Sequence, residues 1–227
     1  MPDFVIPPSP APSLPVRGTQ ARFPLRRVYC IGRNYAAHAV EMGHDPDREP
    51  PFFFQKNPDN LRAGSDSFPH PGGEVHHEVE LAIALAGGGR DIAPDAAEAL
   101  IWGYAVALDM TRRDLQAEAK RMGRPWELAK AFEHSAPIGP LVPASEIGHP
   151  QAGAITLHVN AAPRQAGDLA QMIWKPSEMI AELSRFVSLA AGDVILTGTP
   201  AGVGPVAPGD VLDARIDGVG ALRVTVV

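Results

Sequence analysis

Residues 78–89 read EVELAIALAGGG, and the fold turns on how this stretch is taken. Val79, Leu81, Ile83 and Leu85 occupy one face of a predicted strand that ends in glycines. Glu78 and Glu80 share the opposite face, because strand side chains alternate. Two carboxylates on one face repel unless a cation or a solvated surface relieves them. An edge strand facing water satisfies the pattern as well as a cation site does, so this stretch alone leaves both open.

Reading outward, RRVYCIG (26–32), PFFFQK (51–56) and GYAVALDM (103–110) are further predicted strands, the second buried by its aromatic run. NYAAHAVEMG (34–43) reads as a helix stopped by Gly43, and APDAAEALI (93–101) as one with Pro94 in its first turn. TRRDLQAEAKRMG (111–123) reads as a helix opened by a Thr111–Asp114 capping box and closed by Gly123. The last hundred residues are mostly β, with one helix around SEMIAELSRFVSLAAG (177–192). DVLDARI and ALRVTVV, joined by DGVG, carry a hairpin signal. Strands do not alternate strictly with helices, which disfavours a doubly wound sheet. The expectation is one strand-rich α+β domain over 25–227, preceded by a proline-rich arm over 1–24 with no core of its own. A PxxP spacing in that arm permits docking to a partner's aromatic groove. An arm lying along its own domain or a neighbouring subunit is the stronger reading.

The chain has 227 residues, 45% of them hydrophobic, with a net charge of −6. That is enough to bury a substantial core, and the charge argues against a general nucleic-acid binder. No apolar run reaches the roughly 18 residues of a membrane span. MPDFVIPPSP lacks the basic start and apolar centre of a secretory signal. The single cysteine, Cys30, excludes an internal disulfide and suits a reducing cytoplasm.

A third carboxylate alters the weighing at Glu78 and Glu80. Asp109 ends the apolar strand GYAVALD, at the tip of a rigid element where sites gather. Three carboxylates without cysteine are hard oxygen donors, suited to Mg²⁺, Mn²⁺ or Ca²⁺ rather than zinc. His76 and His77 lack a zinc-type spacing, so at most one of them matters, as an outer group. In GRNYAAHAVEMG (32–43), His38 and Glu41 are three apart on a helix. A carboxylate so placed orients an imidazole as general base for water, although a surface ion pair has the same spacing. Arg113 and Gln116 share one side of the helix after Asp109. Lys130 in WELAKAF sits among apolar neighbours, which would lower its pKa. All three are donors suited to an anion or oxyanion. Lys120 and Arg112 read as an ordinary solvated helix face. In ILTGTPAGVGP (195–205), glycines 198, 202 and 204 allow close backbone approach and a tight turn presents Thr199. Neither a phosphate loop nor a G-x-S-x-G elbow occurs.

In order, GRNYAAHAVEMG, HHEVELA, GYAVALDMTRRDLQ, WELAKAF and GDVILTGTPAGVGPV resemble the fumarylacetoacetate hydrolase family from about Arg27 to the C-terminus. The proline-rich start, MGHDPDREPPFFFQKN and DMTRRDLQAEAKRMGRPW are most like its bacterial fumarylpyruvate hydrolases, and the chain is also similar to acylpyruvate hydrolases with oxaloacetate decarboxylase activity. The resemblance implies a mixed β-sandwich roll, usually a homodimer, with one divalent cation, Mg²⁺ or Mn²⁺. It places Glu78, Glu80 and Asp109 as metal ligands, His38 and Glu41 as the water-activating pair, and Lys130 as the catalytic lysine. Arg33, Tyr35, Arg113, Gln116 and Thr199 fall at substrate-binding positions. The implied reaction is hydrolysis of a 2,4-diketo acid such as fumarylpyruvate. A dienoate isomerase or hydratase, or a non-catalytic binding protein, are the remote alternatives.

Overall fold

The structure, a computed structural model, describes residues 4–37, 49–64 and 66–227. His38, Glu41 and most of the helix expected over residues 34–43 lie outside them. Among the described residues an eight-stranded mixed sheet forms the centre. Its order runs Phe52–Lys56, Arg27–Gly32, Asp193–Leu196, Val79–Leu85, Ile101–Leu108, Ala136–Ile138 and Leu61–Ala63, with Val142–Pro143 also paired to Ile101–Leu108. Facing it is a five-stranded sheet ordered Ala162–Asp168, Ala154–Val159, Val211–Ile216, Gly220–Val226, Ser67–Phe68. The DGVG turn makes the expected hairpin, with Ile216 opposite Gly220.

The two faces of the large sheet differ by residue size. Val79, Leu81, Ile83, Leu85, Tyr104, Val106 and Leu108 pack with Ile155, Leu157, Leu212, Ile216 and Val224 of the second sheet in one core. Ala82, Ala84, Ala105 and Ala107 lie on the other face, in a second core with Val28, Cys30, Leu196, Leu14 and Phe23. All seven residues of Val79–Leu85 are buried, so this strand is interior on both sides. The helix Pro176–Phe186 buries Met179, Ile180 and Leu183 in the larger core.

Several local expectations change. The Phe52–Lys56 strand lies at the sheet's edge, and its three phenylalanines are only half-buried. Glu78 is in no strand; it separates Val75–His77, part of a small three-stranded sheet, from Val79–Leu85. Thr111 caps no helix. Thr111–Arg112 is extended and pairs with Val75–His76, Arg113 N–H donates to Glu74 O at 2.7 Å, and the helix starts only at Arg113. Pairing with a neighbouring strand thus outweighs the local capping signal. Gly123 does close that helix, in the left-handed region at φ 61°. Within the proline-rich segment, Ser13–Pro15 pairs with Arg22–Pro24, and Leu14, Val16 and Phe23 enter the smaller core. No helix among the described residues is long and apolar enough to cross a membrane.

Candidate metal centre

Sheet register assembles the three acids. Glu80 is paired with Ala107, and Asp109 follows two positions later on the same, alanine-lined face. Asp109 N–H donates to Glu78 O at 2.8 Å, which draws the third acid in although it has left the strand. One carboxylate oxygen from each lies within 4.8 Å of the others, and all three residues are buried. Oxygen-only donors at this spacing, with neither thiolate nor imidazole among them, fit a hard divalent cation such as Mg²⁺ or Mn²⁺. Burial, then the charges of Asp109 and Glu78, push the Glu80 carboxyl well above the usual range, while Gly198 N–H donates to its Oε2 at 2.8 Å. A dication among these groups removes that electrostatic penalty. The two glutamates of HHEVEL are therefore buried in a donor set that could hold a cation, and do not lie on a solvated edge.

Among the described residues, three cations contact the acids. Lys130 Nζ donates to Asp109 Oδ2 at 2.7 Å and to Glu78 Oε2 at 2.9 Å. Burial alone would lower its pKa, as expected from its apolar neighbours, but Asp109 and Glu78 more than offset this and hold it above the ordinary lysine value. Lys130 thus rests as the ammonium, which corrects the expectation of a depressed pKa. Arg113 Nη2 donates to Glu78 Oε1 at 2.5 Å and its Nη1 to Gln116 Oε1 at 2.6 Å. The third cation, Lys56, was not anticipated. Its ammonium lies 2.8 Å from Asp109 Oδ1, with both side chains almost wholly buried, and donates to the Lys130 carbonyl. A lysine ending an aromatic strand gives little hint of this, because its partner is 53 positions away.

A second unanticipated residue is Gln165. Its Oε1 accepts Val79 N–H at 3.1 Å and faces His77 Nδ1 at 2.9 Å; its Nε2 donates to Thr199 Oγ1 at 2.7 Å and Pro200 O at 2.8 Å. Because that Oε1 is an acceptor, the His77 proton sits on Nδ1. Nε2 is then the bare nitrogen, buried with no partner among the described residues. Thr199 Oγ1 donates its one hydrogen to Val79 O at 2.8 Å, so towards a ligand it presents a lone pair. His77 therefore stands behind the acids, tied to the glycine loop, while His76 pairs outward with Glu74.

The cleft above the acids is lined by Arg33, Phe52, Phe54, Arg113, Gln116, Lys120, Trp126, Lys130, Gly198 and Thr199, among others. Of the residues proposed from sequence, Glu78, Glu80, Asp109, Lys130, Arg33, Arg113, Gln116 and Thr199 converge there. Tyr35 does not line the cleft; it is buried in the larger core, where burial and then the Glu80 and Asp168 charges raise its phenol. Asn34 ties this region together, accepting Trp174 N–H at 2.7 Å and donating to Thr197 O at 2.8 Å.

Comparison with known proteins agrees with this geometry. The family described as fumarylacetoacetate (FAA) hydrolase C-terminal matches residues 27–227. Oxaloacetate tautomerase YcgM of Escherichia coli K12 is 43% identical over 205 residues, 89% of this chain and 93% of that protein. The mitochondrial oxaloacetate tautomerase FAHD1 of Arabidopsis thaliana is 42% identical, over 88% and 90% of the two chains. The crystal structure of fumarylpyruvate hydrolase from Pseudomonas aeruginosa, in complex with Mn²⁺ and pyruvate, superposes with a TM-score of 0.97 at 52% identity, covering 99% of both chains. Family match, shared fold and acid cluster together place this chain in the fumarylacetoacetate hydrolase family of enzymes.

Proposed function

We propose that the protein hydrolyses the carbon–carbon bond of a 2,4-diketo acid, converting fumarylpyruvate to fumarate and pyruvate. The observation that carries this reading is the convergence of Glu78, Glu80 and Asp109 beneath a cleft rimmed by hydrogen-bond donors. Glu78, Glu80 and Asp109 would hold the divalent cation, which when bound supplies Lewis-acid polarisation and orientation of the substrate's carbonyl oxygens. Among the described residues three acids face three cations here, Lys56, Lys130 and Arg113, so the acids do not outnumber the positive charges around them. A dication then leaves excess positive charge that an anionic diketo acid offsets.

To His38 and Glu41, which lie outside the described residues, the proposal assigns removal of a proton from the water that attacks C4; help of this kind is worth about 10²–10⁴ in rate. Gln116 Nε2 and the Arg113 guanidinium are donors on the cleft wall for the oxygen that becomes negative at C4. When C3–C4 breaks, its electron pair passes to the pyruvate fragment. The Lys130 ammonium, held on the floor by Asp109 and Glu78, would return a proton at C3 and be reprotonated by the proton His38 took from water. Water thus supplies OH to the fumaryl carbonyl and the net proton to pyruvate. The Cys30 thiol, buried and reduced, suits the cytoplasm, and a homodimer belongs to the same proposal.

The resemblance to oxaloacetate tautomerases supports a second reading, in which the same donors handle the enol of oxaloacetate. The purified protein, given Mg²⁺ or Mn²⁺ and then fumarylpyruvate, acetylpyruvate or oxaloacetate, distinguishes the two. Loss of the diketo-acid absorbance with equimolar pyruvate supports hydrolysis. Activity on oxaloacetate alone replaces it with the second reading.

A further inference from the structure

Lys120 is exposed, as expected of a solvated helix face, and it also lines the cleft, with its ammonium 5.3 Å from the centroid of the Trp126 ring. The Arg33 guanidinium lies 5.3 Å from the centroid of Phe52. Phe52 and Trp126 themselves meet edge to face, centroids 5.4 Å apart at 88°. Two cations therefore flank one aromatic pair at the mouth, away from the three acids on the floor. Burial, followed by the charges of Arg113 and Arg33, lowers the Lys120 pKa, so these cations are close enough to repel. No acid among the described residues ion-pairs with Lys120, and Glu49 reaches Arg33 only at 4.0 Å.

The backbone beneath this mouth is specialised. Arg33 adopts φ 58°, which is rare for a residue with a side chain. A Cβ on the preceding Gly32 would lie 2.0 Å from the tip of the Phe52 ring, so only glycine leaves room for that ring. Backbone in the left-handed region persists where surrounding structure holds it, often at ligand-binding positions.

We propose that Lys120, with Arg33, receives a second carboxylate at the far end of the substrate's acyl arm, making the cleft selective for dianionic diketo acids. This rests on the diketo-acid reading above. The head of the substrate lies over the acids, Lys130 and Arg113. A planar conjugated arm then runs along Phe52 and Trp126 and brings its terminal carboxylate between the two cations. Charge relief at the mouth is what a neutral acyl arm cannot supply.

The test compares wild type with Lys120→Met, which keeps the methylene contact with Trp126, and with Lys120→Arg. Two measurements are made: the ratio of kcat/KM for fumarylpyruvate to that for acetylpyruvate, and fumarate binding by calorimetry. Lys120→Met should lower that ratio about 10–100-fold, the range of a charge-assisted hydrogen bond, and weaken fumarate binding in parallel. Lys120→Arg should restore most of both. An unchanged ratio with unchanged fumarate binding overturns the inference while leaving the hydrolase reading standing. If wild type cleaves neither diketo acid, that reading falls. Fumarate binding then decides the carboxylate site alone: loss in Lys120→Met supports it, and equal binding refutes it.

Discussion

Replacing Lys56 with methionine isolates the electrostatic support beneath the acid cluster. The Lys56 ammonium lies 2.8 Å from Asp109 Oδ1, with the two side chains 0% and 1% exposed. Methionine keeps most of the chain's volume, so the loss is of charge more than of packing. Removing one partner of a buried ion pair costs about 3–5 kcal/mol. Lys130 remains on Asp109 at 2.7 Å, which favours the lower end, about 3 kcal/mol. In a chain of this size 1 kcal/mol moves Tm by roughly 2–4 °C, so the metal-free variant should melt about 6–12 °C below wild type. Saturating Mn²⁺ supplies Asp109 with another countercharge, so the gap should narrow when it is present. Calorimetric unfolding in chelator and in Mn²⁺ measures both quantities. A cycle with Asp109→Asn completes the argument, because the double variant should be less destabilised than the sum of the singles. A metal-free Lys56→Met melting within about 2 °C of wild type, or strictly additive effects in the cycle, would refute the reasoning.

Three other variants probe the same centre. Glu80→Gln removes the charge that burial, Asp109 and Glu78 disfavour, yet keeps an acceptor for Gly198 N–H; without metal it should melt at or above wild type. With Mn²⁺ at about 100 times the wild-type Kd, wild type should gain about 2.7 kcal/mol and Glu80→Gln almost none; an equal gain in both would remove Glu80 from the ligand set. Gln165→Leu strands the buried Val79 N–H and Pro200 carbonyl and unties His77 from Thr199. At about 1–3 kcal/mol for each unsatisfied group, chemical denaturation should show a loss above about 2 kcal/mol, and a smaller one would mean water replaces the amide. Gly198→Ala puts a Cβ 2.7 Å from that of Asn34 at φ 89°. It should lower Mn²⁺ affinity and stability together, and wild-type values for both would show that the loop adapts.

The hairpin of the last two strands, the existence of the strand Val79–Leu85 and the Gly123 helix stop were all legible, because each depends on neighbours within a few residues. So was the acid trio, since hard donors at strand ends announce themselves by residue type. The Thr111 capping box was misread because the same residue pairs with His76, 35 positions away. The direction of the Lys130 pKa shift was misread for a similar reason: WELAKAF displays its apolar neighbours, while the carboxylates that hold its proton come from other elements.

Sequence by itself determined the strand periodicity, the oxygen-only donor set and the glycines that let the backbone pass closely. Only the tertiary structure decided that Glu78 leaves its strand yet joins the trio, that Lys56 and Gln165 support the site from behind, and that the exposed Lys120 borders the cleft beside Trp126. The division has one physical cause. Alternation and turn chemistry are set by steric preferences of adjacent residues, whereas the energy of a charge or a buried amide depends on what long-range packing places within about 3–5 Å of it.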